Sequence, residues 1–72
     1  MDDNMYHGIV IYWNERDGYG FFQVDGLPDV FFHITDVENA TGRQINKGDQ
    51  AVFHVYNSPQ RNRCHARVVV FE

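Results

Sequence analysis

The chain is poor in cysteine, leucine, alanine and positive charge, and each shortage excludes something. A single cysteine, Cys64, among 72 residues cannot form an internal disulfide, so the stapled framework of small secreted domains is excluded. No C-x-x-C pair occurs, which removes zinc fingers and ribbons. No apolar run approaches the ~18 residues of a membrane helix, and no basic-then-apolar signal segment opens the chain. No membrane association and a cytoplasmic location are therefore expected. Six Lys and Arg stand against ten Asp and Glu, for a formal net charge of −4, which argues against coating duplex DNA by bulk electrostatics. Seventy-two residues leave room for one domain, since chains this short bury only ~60% of their unfolded surface.

Branched and aromatic side chains dominate what remains. Val, Ile, Thr, Phe, Tyr and Trp supply 26 residues, against one Leu and three Ala. Such side chains fit a pleated, half-buried surface, and good helix formers are scarce, so the chain is expected to be all-β. Alternation predicts five strands, at His7–Asn14, Tyr19–Val24, Asp29–Ile34, Asp49–Asn57 and Cys64–Phe71, separated by polar or glycine-bearing turns. The polar stretch Thr35–Gly48 has neither period, and one helical turn is expected near Asp36–Glu38. Five short strands fit a small five-stranded antiparallel barrel of the OB type, whose closure removes exposed edges.

The same alternation sorts the faces. Phe22, Val24, Val30, Phe32, Ala51, Phe53 and Val55 point inward, and Cys64 is expected inside as a small apolar filler. Tyr19, Phe21, Phe31 and His33 are left on the outer face of two adjacent strands. Exposed rings in a row mark a binding surface, and flat rings suit nucleobases, each stacked base contributing roughly 1–3 kcal/mol. Rings that pair for stability, or that seal a dimer, are the competing explanation. Gly18 and Gly20 flank Tyr19, and glycine within a strand predicts close approach to the backbone, here by a ligand.

Other chemistry fares poorly. Cys64 and His65 point to opposite faces of one strand, and His54 facing His65 would supply only two ligands, so no metal or other cofactor is expected. No carboxylate cluster or base-activated nucleophile appears, and no enzyme is expected.

Asp17-Gly18-Tyr19-Gly20-Phe21-Phe22-Gln23-Val24 approaches the ribonucleoprotein-type pattern K/R-G-F/Y-G/A-F-V-x-F/Y. Asp29-Val30-Phe31-Phe32-His33-Ile34-Thr35 looks like the second such motif. With Gly8-x-Val10-x-Tyr12-Trp13-Asn14 ahead of both, the chain closely resembles the bacterial cold-shock proteins. That resemblance covers essentially its whole length, including Lys47-Gly48-Asp49 and Ala66-x-Val68. It implies a barrel that binds single-stranded RNA or DNA as an RNA chaperone, with Tyr12, Tyr19, Phe21, Phe31 and His33 as stacking platform. Asp29 stands where the family has an Asp near the nucleic acid, and Arg61 falls near its basic residue in the last loop. Arg63 adds charge in that loop, where the usual Gly-Pro-Gln-Ala run reads Asn62-Arg63-Cys64-His65.

The departures run in one direction. Ile11 and Asp17 replace two family lysines, Ile34 and Gly42 replace two phenylalanines, and the usual Trp-Phe pair is inverted to Tyr12-Trp13. Residues 1–36 carry seven acids and one arginine, a balance of −6, whereas residues 37–72 balance at +2. A bound strand is accordingly expected to lay bases over the rings and phosphates towards Arg61, Arg63 and Arg67. A monomer is expected, a dimer being the alternative, and a diverged barrel whose rings serve a protein interface is the second functional reading.

Overall fold

The computed structural model describes residues 5–58 and 63–72. Five strands, β1 (Met5–Asn14), β2 (Tyr19–Gln23), β3 (Val30–His33), β4 (Gln50–Ser58) and β5 (Arg63–Phe71), close into a barrel in the order β1-β2-β3-β5-β4. The expected all-antiparallel pairing is corrected at one seam. β3 and β5 run parallel, with Val30 opposite Cys64 and Phe31 opposite His65. The long segment after β3, followed by the β4–β5 hairpin, returns the chain to that edge in the same direction, which no hairpin between neighbours allows.

Phe22, Val24, Val30, Phe32, Ala51 and Phe53 face inward as alternation selects, whereas Val69 is inward because a bulge reverses the parity of β5. Phe22, Phe32, Phe53, Val10, Val30 and Val69 are fully buried, and Cys64 is buried with them. Phe22 stacks on Phe32 at 4.1 Å and on Phe53 at 4.4 Å, while Trp13 lies nearly parallel to Phe32 at 5.4 Å. A stack of four rings, Trp13–Phe32–Phe22–Phe53, thus forms the spine of the core.

Gly20 follows from this packing. A Cβ there would collide with the Tyr12 carbonyl oxygen and press on Trp13 and Phe32 at 3.0 and 3.1 Å. Its bareness serves the close approach of β1 rather than a ligand, which corrects the expectation for that residue.

The helical turn is a 3-10 turn at Ile34–Asp36, two residues earlier than expected. His33 and Asp36 place it there. The His33 Nδ1 accepts from the Thr35 amide at 3.2 Å, and the Asp36 carboxylate accepts from the His33 amide at 3.1 Å. Reciprocal caps of this kind satisfy amides that a starting turn leaves unpaired.

Two bulges disturb the alternation, one in β1 between Val10 and Tyr12 and one in β5 opposite Val52–His54. Val68 lies in the second with φ of 56°, a left-handed conformation that crowds a branched Cβ. Its side chain is 46% exposed, so little packing compensates. Asparagine tolerates this conformation better, and Val68→Asn is expected to raise stability by about 1 kcal/mol. A urea titration of both proteins measures it, and an unchanged or lower midpoint counts against strain at this bulge.

Candidate nucleic-acid interface

β2 and β3 pair with Tyr19 opposite His33 and Phe21 opposite Phe31, so four rings share the outer face two by two. Tyr19 stacks on Phe31 at 5.8 Å, and Phe21 meets Phe31 edge-on at 5.7 Å. Strict alternation in β1 would turn Tyr12 inward, like Val10. The bulge reverses its side and sets Tyr12 opposite Phe21, 5.9 Å from the Tyr19 ring and 6.3 Å from Phe21. Tyr12 is 46% exposed. The neighbouring Tyr19 phenol raises the pKa of Tyr12 above its ordinary value, so Tyr12 stays neutral at physiological pH.

His33 closes one end of this surface. Its Nδ1 is occupied by the Thr35 amide and lies 3.1 Å from the Thr35 hydroxyl, so the neutral ring carries its proton on Nε2, ready to donate. Asp29 is exposed just before β3, at the opposite end.

The parallel seam brings β5 against the platform, which sequence reasoning missed. His65 meets Phe31 edge-on at 5.2 Å, and the Arg63 guanidinium lies 5.3 Å over the Phe31 ring. The Nε2 of His65 lies 2.9 Å from Oδ2 of Asp36, and Nε of Arg67 lies 3.4 Å from Oδ1. That carboxylate is 11% exposed and also holds the His33 amide. Asp36 therefore ties the end of β3 to β5 and holds the His65 imidazole. Because Arg67 is engaged there and lies 5.6 Å over Tyr56, it offers less to a phosphate than its place in the basic half implies. Arg63 is the described arginine at the platform, whereas Arg61 lies outside the described residues.

The proposed pairing of histidines is also corrected. His54 lies opposite Arg67 and His65 opposite Tyr56, because the β4–β5 register offsets the two imidazoles by two positions. Among the described residues no group of three or more His, Cys, Asp or Glu is placed to hold a metal ion. No helix among them is long and apolar enough to cross a membrane.

Beyond His33, the β1–β2 turn and the segment 42–45 enclose an open cleft of about 730 Å³. Its walls mix the apolar surfaces of Trp13, Ile34 and Ile45 with the polar Arg16, Asp17 and Gln44.

Comparison with known proteins agrees with this geometry. The family described as the ‘Cold-shock’ DNA-binding domain matches residues 6–71. Cold shock protein CspB of Geobacillus stearothermophilus is 33% identical over 51 residues, covering 71% of this chain and 77% of the relative. Cold shock-like protein CspB of Escherichia coli is 31% identical over 68 residues, covering 93% and 94%. Among solved structures, Drosophila Unr CSD456 superposes with a TM-score of 0.78 at 25% identity, covering 97% of this chain and 27% of that one. With the barrel, the two ring-bearing motifs and a match over nearly its whole length, the chain belongs to the cold-shock domain family of nucleic-acid-binding proteins.

Proposed function

We propose that this protein binds single-stranded RNA or DNA, with little regard to sequence, by stacking bases on Tyr12, Tyr19, Phe21, Phe31 and His33, and that it acts as an RNA chaperone. One observation carries this reading. Tyr12, Tyr19, Phe21 and Phe31 form a continuous outward cluster with neighbouring centroids 5.7–6.3 Å apart. Bases buried inside a duplex cannot reach such rings, whereas an open strand offers a π-face at every nucleotide. Preferential binding of the open strand shifts a hairpin towards its open form without ATP, by no more than the difference in affinity between the two forms.

Electrostatics contribute little here. Asp17 and Asp29 flank the rings while Arg63 is the described cation among them. Each neutralised phosphate adds ~0.7 to the fall of log K with log salt on a single strand, so a shallow slope is expected. Restoring cations reverses this. Ile11→Lys together with Asp17→Lys is expected to steepen the slope by ~1.4 and to tighten binding at low salt.

A fluorescent oligopyrimidine hexamer, titrated alone and as its duplex at several salt concentrations, tests both statements. The single strand should bind and the duplex should not. Equal affinity for the two forms overturns the stacking reading. An unchanged slope in the double variant means that the strand does not pass residues 11 and 17.

A further inference from the structure

We infer that the single-strand surface does not end at β3 but crosses the parallel seam onto β5 and β4, where His65 and Tyr56 add two stacking stations for the same strand. This rests on the proposed single-strand binding and lengthens its footprint.

Register carries the argument. Tyr12 lies opposite Phe21, Phe21 opposite Phe31, Phe31 opposite His65, and His65 opposite Tyr56. One outward ring thus stands on each of the five strands, in a single row across β1, β2, β3, β5 and β4. None of these five residues is buried, whereas their chain neighbours Gly20, Phe22, Val30, Phe32, Cys64 and Ala66 are. The row is unbroken at the seam, since the His65 ring lies 5.2 Å from Phe31. Neighbouring strands stand ~4.8 Å apart, so Tyr56 follows about two such steps after Phe31.

Tyr56 is open to a ligand. It is 54% exposed, more than Tyr12 at 46%, even with the Arg67 guanidinium 5.6 Å over its ring. A lone exposed ring is ordinary on a protein surface, but one that continues a contiguous patch marks a binding site.

The two added stations are also held in place. Nε2 of His65 lies 2.9 Å from Oδ2 of Asp36, a carboxylate only 11% exposed. A ring already fixed in the free protein gives up less side-chain freedom when a base packs on it. Nε of Arg67 lies 3.4 Å from the other oxygen of the same carboxylate, which keeps the guanidinium beside Tyr56. Bases stack on a guanidinium plane as they do on an aromatic ring, so Arg67 serves there as a flat surface rather than as a phosphate contact.

Charge selects the occupant. Asp17 and Asp29 are exposed next to β2 and β3, whereas Arg63 and Arg67 are exposed on β5. A polyanion leaving Phe31 therefore meets cations only by crossing the seam, which favours the continuing nucleic-acid strand over an acidic or neutral end to the surface.

Pentauridylate, which can fill the rings of β1 to β3, and octauridylate, which can pass beyond them, separate the two parts of the surface. Tyr56→Ala is expected to weaken octamer binding roughly tenfold and pentamer binding by no more than about twofold. Tyr56→Phe should match the parent on both strands, and Phe31→Ala should weaken both. In the unaltered protein, the amide resonances of Tyr56 and His65 should shift with the octamer and stay in place with the pentamer, a readout that no folding defect of a variant can disturb. Resonances on β4 and β5 that ignore the octamer, or a Tyr56→Ala variant that binds it like the parent, overturn the extension and leave the platform reading intact. An equal loss on both lengths does the same, because Tyr56 would then act through the barrel. Sedimentation of the free protein tests a second copy as the occupant. A dimer that Tyr56→Ala dissociates would assign the ring to a self-interface and overturn the extension. Failure of the parent protein to bind either strand overturns both readings.

Discussion

Phe32→Ala is expected to cost about 3–5 kcal/mol of stability and to leave the chain largely unfolded. Phe32 is fully buried in the middle of the core stack, with Trp13 on one side at 5.4 Å, Phe22 at 4.1 Å and the edge contact of Phe71 at 6.1 Å. Removing it deletes the transfer free energy of the ring and opens a cavity between rings that β1, β2 and β5 hold apart. A chain of 72 residues has roughly 4–11 kcal/mol of total stability at the usual 0.05–0.15 per residue. One substitution thus removes much of what exists. Circular dichroism and a urea titration measure the loss. A midpoint near that of the parent would show that the stack is not what holds the barrel closed.

The contrast between Phe32 and its neighbour Phe31 was legible from period two alone, as were all five strands. Each inward residue alternates with an outward one, and the pleat enforces that rule locally. What remained hidden depends on places where the local rule breaks or where distant segments meet. Tyr12 has the parity of buried Val10, and only the bulge at Ile11 brings it outward. Its place in the platform came from the family resemblance, not from alternation. His65 reaches Phe31 through a parallel seam between strands more than thirty positions apart, and nothing near either residue signals it. The split into acidic and basic halves also misled. Asp36 belongs to the acidic half, yet it sits against His65 and Arg67 of the basic half. Charge counted along a chain says little about charge arranged on a closed barrel. Gly20 taught the same lesson in miniature, because the atoms that require its bareness belong to β1 and β3 of the protein itself.

Phe31→Ala is expected to weaken single-strand binding by about 2–3 kcal/mol, the upper part of the range for one stacked base, and Phe21→Ala by about 1–2 kcal/mol. The difference follows from position. Phe31 touches Tyr19, Phe21 and His65 at 5.8, 5.7 and 5.2 Å, so its loss removes one stacking station and loosens three neighbours. Both rings are half-buried on the outer face, and each ring pair contributes ~0.5–1.5 kcal/mol beyond its buried area. Both variants should therefore fold, with Phe31→Ala the less stable of the two.

Arg63 makes the expectation sharper. In the free protein its guanidinium covers Phe31 at 5.3 Å, on the surface where a base would stack. An exposed cation–π contact is worth ~0.5–1 kcal/mol, less than the roughly 1–3 kcal/mol of a stacked base, so the base displaces the arginine. The released guanidinium is then at hand for a phosphate, which it holds through two parallel hydrogen bonds. Arg63→Gln should consequently weaken binding at low salt, flatten the dependence of log K on log salt by ~0.7, and match or exceed the parent at high salt, where the ring is uncovered and the phosphate contact is screened. Phe31→Ala should lose affinity at every salt concentration. Fluorescence titrations of the three variants across a salt series distinguish these behaviours. Parallel lines for Arg63→Gln and the parent would mean that Arg63 stays on its ring and takes no phosphate.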